Sequence, residues 1–92
     1  MAAGTKKKKA IALKYDALKD KAPKVVAKGE GVVAEKILDL AREAGVPVRE
    51  NADLAEILSR LELNAEIPPE TYVIVAEILA WVYELNNRAA KG

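Results

Sequence analysis

The chain contains no cysteine and no histidine. Without cysteine there is no disulfide, no thiol nucleophile and no thiolate metal site. Without histidine it loses the side chain that most often serves as a general base near neutral pH and as a nitrogen ligand to metals. Long apolar runs are missing too: nothing approaches the roughly 18 uninterrupted apolar residues that a membrane-spanning helix requires. The leading residues, MAAGTKKKK, are polar and no signal-type apolar stretch follows them. Secretion is therefore not expected, and a cytoplasmic location is. These absences exclude more chemistry than any residue present suggests.

What is present is 92 residues, of which 51% are apolar, enough for one small core and not for two. The net charge of +1 conceals a gradient along the chain. Residues 1–24 carry eight lysines against Asp16 and Asp20, a balance of +6, whereas residues 25–92 carry seven bases against twelve acids, a balance of −5. A basic leading end on a mildly acidic body suits an acidic surface at one end only.

Residues 1–9 offer nothing to bury and are expected to form a disordered basic tail. From Ala10 the pattern changes: Ile11, Leu13 and Tyr15 alternate with Ala12 and Lys14, the period of a half-buried strand. Asp16 to Pro23 reads as a polar connection, and KVVAK (Lys24 to Lys28) as a second strand broken by Gly29-Glu30-Gly31. Helical spacing then places Val33, Ile37, Leu40, Ala41 and Ala44 on one stripe, with Gly45 ending the helix in the left-handed conformation. Val46-Pro47-Val48-Arg49 reads as a third, short strand, and the intervening helix makes a right-handed βαβ unit with the second.

Asn51 is placed to cap a short helix with the stripe Leu54, Ile57, Leu58 and Leu61. Pro68-Pro69 opens a last helix running from about Glu70 to Arg88, with residues 89–92 as a short disordered tail. Between Val73 and Leu85 only Glu77 and Glu84 are charged. A helix so apolar around its circumference is either central to the core or also presents a docking face. The expected fold is α/β: a small mixed three-stranded sheet packed by three helices, in the order β-β-α-β-α-α, over residues 10–88.

The segments ALKYD (Ala12 to Asp16), APKVVAKG (Ala22 to Gly29) and AEKILDLAREAGVPVRE (Ala34 to Glu50) come in a telling order. LAEIL (Leu54 to Leu58), EIPPETY (Glu66 to Tyr72) and VAEILAWVYELN (Val75 to Asn86) follow them. In this sequence and spacing they resemble the cytoplasmic domain of the FlhB/YscU family, the substrate-specificity switch of flagellar and type III protein export. Members of that family carry Asn-Pro-Thr-His before the ALKYD-like strand and cut themselves between Asn and Pro. Here Thr5, Lys6, Lys7 and Lys8 occupy those positions. The family's transmembrane helices are also missing, and Ala52-Asp53 replaces a Pro-Pro that often precedes the second helix. The resemblance thus implies a short stand-alone homologue that lacks the cleavage site.

Self-cleavage in the family needs an Asn amide to attack its own backbone carbonyl. A Lys ammonium at neutral pH cannot replace it without a large pKa depression that an exposed tail does not supply, and Thr5 lacks an activating base. Glu30 with Glu35, and Asp39 with Glu43, could be named as paired carboxylates, but beside Lys36 and Arg42 they read as a solvated face. Gly29-Glu30-Gly31 lacks the third glycine and the Lys-Ser/Thr pair of a phosphate cradle. No cofactor, no metal site and no enzymatic activity are expected. The Lys run has no interleaved aromatic residue, so nucleic-acid binding is not expected; contact with anionic lipid beside an inner-membrane export gate is compatible with it.

The resemblance implies a non-enzymatic binding module of flagellar or type III export. Its partners would be export-gate cytoplasmic domains, export substrates or chaperones. The expected docking patch is Lys14, Tyr15, Asp16, Lys21, Pro23 and Lys24, the charged connection after the first strand. The rival reading is a general regulatory or structural interaction domain that uses its basic arm on acidic partners. In either case the chain should stay whole. Intact-mass spectrometry should show one species at full mass, and two fragments split near Thr5 would refute this.

Overall fold

The computed structural model describes residues 8–91. Strand β1 (Lys9–Lys14) pairs antiparallel with β2 (Lys24–Glu30), from Lys9 opposite Glu30 to Lys14 opposite Lys24. A bulge between Ala12 and Leu13 shifts the register. Lys9, which the alternation leaves in the tail, is the first residue of the strand. The preceding Lys8 carbonyl accepts the Gly31 N–H at 2.8 Å. Thr5, Lys6 and Lys7, the remaining positions of the lost cleavage motif, lie outside the described residues.

Helix α1 (Val32–Glu43) ends as its sequence predicts. Gly45 has φ +72°, its N–H donates to Arg42 O at 3.1 Å, and the Val46 N–H donates to Ala41 O at 2.8 Å. This is a Schellman closure, in which the residue after the left-handed glycine satisfies the helix carbonyl a turn back.

That closure also explains why the third strand does not form. Among the described residues the sheet has two strands, and Val46 to Arg49 belongs to neither. Val46 spends its N–H on the helix end and Pro47 has none, so the segment has few donors left for a ladder. The outer edge of β2 is taken instead by residues 64–67. Val25 N–H donates to Ala65 O at 3.0 Å, Asn64 N–H donates to Val25 O at 2.6 Å, and Ile67 N–H donates to Pro23 O at 2.9 Å. The predicted mixed three-stranded sheet is therefore an antiparallel pair with a bridged loop on its edge.

Helix α2 (Ala52–Leu58) starts at Asn51, whose side chain accepts the Leu54 N–H at 3.0 Å. Its far end is closed by Lys28, whose ammonium donates to Ser59 O at 3.2 Å and Leu61 O at 2.5 Å. Lys9 ties β1 to the same helix through Glu56 and to β2 through Glu30, and the hydrogen bond to Glu56 is the main cause of its raised pKa. A 3-10 turn (Pro69–Thr71) leads into α3 (Tyr72–Lys91), which continues past the predicted end at Arg88. Thr71 is buried, but its hydroxyl donates to Pro68 O at 2.7 Å, so its burial leaves no polar atom unsatisfied. Arg49 lies over the Trp81 ring at 5.1 Å and holds the unpaired segment against α3.

The core is formed by Ala22, Leu54, Leu58, Ile67 and Val75, with Ile11, Leu13, Leu61, Ile78 and Leu79 packed around it. The buried face of α1 shares only Ile37 and Ala41 with the apolar stripe read from the sequence. Ala34 is fully buried, with Ile37, Leu38 and Ala41 half-buried on the same side, while Val33 and Leu40 are exposed. Close approach explains the choice, because a small residue lets the helix backbone lie near the sheet. The same closeness appears at Gly29, where an added Cβ would stand 2.9 Å from the Val33 Cβ and 3.2 Å from its carbonyl carbon.

The two leucines separate these readings by urea denaturation. Leu58→Ala should cost about 2–5 kcal/mol. Leu40→Ala should stay within about 0.5 kcal/mol of wild type. A large loss at Leu40 would put the sequence stripe back in the core.

Candidate functional site

The connection from β1 to β2 is a polar stretch that orders itself. Asp16 O accepts the N–H groups of Lys19 at 3.0 Å and Asp20 at 2.7 Å. The Asp16 carboxylate accepts the Leu18 N–H at 3.0 Å, and the Asp20 carboxylate accepts the Asp16 N–H at 2.9 Å. Such side-chain bonds to nearby backbone are how aspartate stabilises turns. The bond from Asp16 N–H, with lesser help from Lys24 and Lys14, holds the Asp20 carboxyl below the usual carboxylate range. Lys24 Nζ stands 3.5 Å from Asp20 Oδ1. Leu18 is left at the outside of the turn with 96% of its surface exposed.

Beyond this turn the chain enters the core at Ala22 and Pro23, both buried. There it meets the first turns of α3 and leaves an open groove of about 300 Å³. One wall is Tyr15, Lys21, Ala22 and Pro23; the other is Tyr72, Val75, Ala76 and Leu79, with Ile67 between them. Lys21 is the one charged residue of the lining. The volume is at the lower end of ligand cavities.

The predicted docking patch is thus brought together only in part. Tyr15, Lys21 and Pro23 line the groove. Asp16 serves the turn's own backbone, Lys24 faces Asp20, and Lys14 is exposed opposite Lys24 in the strand pair. Sequence reasoning left open whether α3 presents a docking face, and named none of the residues of this wall for that role. The signal was available in the near-absence of charge from Val73 to Leu85, but periodicity alone does not say which part of such a helix stays uncovered.

The paired acids noted in the sequence are ordinary surface groups: Glu30 is 3.5 Å from Lys9, and Asp39 is 3.1 Å from Arg42. Among the described residues no helix is long and apolar enough to cross a membrane.

Comparison with known proteins places this architecture. Residues 7–82 match the FlhB HrpN YscU SpaS family. An uncharacterized protein of Bacillus subtilis, YlqH, is 45% identical over 80 residues, covering 87% of this chain and 86% of its own. The flagellar biosynthetic protein FlhB of Escherichia coli is 48% identical over 83 residues, covering 89% of this chain but only 22% of its own length. The crystal structure of the cytoplasmic domain of FlhB from Shewanella putrefaciens superposes with a TM-score of 0.82 at 33% identity, covering 90% of this chain and 69% of that one. Sequence, length of match and fold agree, and the chain belongs to the FlhB HrpN YscU SpaS family.

Proposed function

We propose that this chain is a non-enzymatic binding module of flagellar or type III protein export that docks a protein partner in the groove between the β1–β2 turn and α3. The observation that carries this reading is the groove itself. It joins an ordered turn to a rigid helix, is apolar apart from Lys21 and the two tyrosine hydroxyls, and is open at the surface. Pre-formed apolar concavities with few polar groups are where ligands bind. Membership of the family supports a role in export. The absence of Asn and Pro at positions 5 and 6 supports a version that does not switch by cutting itself.

The partners this suits are export substrates or export-gate cytoplasmic domains, with an apolar side chain seated between Pro23 and Ala76. Work beside the export gate would place the chain in the cytoplasm near the inner membrane. Lys14 and Lys24 then act at the edge of the site rather than inside it, and Tyr15, Lys21 and Pro23 contact the partner.

Purified export substrates and gate domains should be captured by the immobilised chain, and Ala76→Asp should reduce capture at least about tenfold by burying an unpaired charge at the contact. Leu40→Asp, on the exposed side of α1, should leave capture unchanged. Equal capture by wild type and Ala76→Asp would refute the groove as the site.

The turn should also carry a pH signature. Asp20 has a folded pKa below its unfolded value, so its contribution to stability is present above the unfolded value of about 3.9 and fades as the pH falls through the folded one. The stability difference between wild type and Asp20→Asn should therefore hold from pH 5 to 8 and shrink below about pH 4. A difference that grew on acidification would contradict the assignment.

A further inference from the structure

From Lys14 to Lys24, the turn with the strand ends that flank it, four lysines stand against two aspartates, a balance of +2. Both aspartates are turned inward, Asp16 onto the Leu18 N–H and Asp20 onto the Asp16 N–H, and Asp20 is further matched to Lys24 at 3.5 Å. Lys21 has no salt-bridge or hydrogen-bond partner among the described residues. It is nevertheless the only ionised side chain in the groove lining, next to two buried residues, Ala22 and Pro23. An unmatched ammonium at the rim of an apolar groove favours a ligand that offers a carboxylate beside an apolar anchor.

We infer that the groove selects extended polypeptide segments in which an acidic residue lies next to the apolar anchor, and that Lys21 is the residue that reads the acid. This deepens the docking reading above and rests on it. The groove's shape decides between a polypeptide and the other acidic surface available, a bilayer of anionic lipid. Ile67 and Val75 in the groove lining are almost fully buried, so a flat surface laid across the groove makes little contact with them. A flat lipid surface would touch Leu18 and the turn lysines and leave the groove empty.

The test uses the full chain, labelled with nitrogen-15, titrated by NMR with synthetic peptides. Each peptide has one leucine in a glycine-serine background, flanked by aspartate or by asparagine, and a third keeps the aspartate but replaces the leucine with glycine. The leucine-aspartate peptide should shift the amides of Ala22, Ala76 and Leu79 and bind about threefold more tightly than the leucine-asparagine peptide, the scale of one exposed ion pair. Lys21→Gln should bring the two leucine peptides to equal affinity. Raising salt from about 50 to about 500 mM should abolish it in wild type as well.

Equal affinity of wild type for the two leucine peptides, with both lost in Ala76→Asp, would overturn the acid preference and leave the groove standing. Peptide binding that survives Ala76→Asp would overturn the groove. Full affinity of the glycine peptide would reduce the effect to charge alone and overturn the proposal. Sedimentation with phosphatidylglycerol vesicles that depends on Lys21 and Leu18, with no peptide shifting the groove amides, would assign the basic tip to lipid and overturn it too.

Discussion

Val25 holds two distant parts of the chain together through its own peptide groups. Its N–H and C=O bond to Ala65 and Asn64, while its side chain is completely buried. Asn64 reaches this position with φ +70°, a left-handed conformation that asparagine tolerates better than most residues with a side chain. Once residues 64–67 are laid along β2, Ile67 bonds to Pro23, and the entry to α3 is fixed beside the exit from the β1–β2 turn. The groove is a consequence of that seam. Its two walls are far apart in sequence and meet only because one short loop takes the place of a third strand.

The molecule has little apolar interior to spare. Val25, Val75 and Thr71 are its largest fully buried side chains, and several valines and leucines remain exposed. Small domains bury a modest fraction of their surface, so specific devices matter more than core volume. Here those devices are the Schellman end of α1, the Asn51 cap, the Lys28 closure of α2 and the Arg49–Trp81 contact. Each fixes a backbone end or a loop that the core alone leaves unconstrained.

Local chemistry was readable in the sequence and tertiary competition was not. Gly45 and Asn51 announce helix ends because a left-handed residue and a side-chain acceptor are needed at those points whatever surrounds them. Pro68-Pro69 announces the last helix for the same reason. The segment at Val46 has a strand's pattern, yet Val46 commits its N–H to the helix end, Pro47 has none, and the place on β2 is occupied. On α1 hydrophobicity pointed to Val33 and Leu40, whereas the sheet admits Ala34, and size outweighs polarity when backbones approach closely. At the groove the turn residues Tyr15, Lys21 and Pro23 stood out by chemistry. Tyr72, Ala76 and Leu79 are ordinary helix residues whose role depends on what they face.

Because the walls converge only when residues 64–67 are seated on β2, the groove has no counterpart in the unfolded chain. Whatever occupies it binds the native state alone, and thermodynamic linkage then turns occupancy into resistance to denaturation that rises with the logarithm of ligand concentration. A chain with so slight an interior would be held in shape partly by any ligand seated there, so the filled and empty forms would differ in lifetime as well as in company.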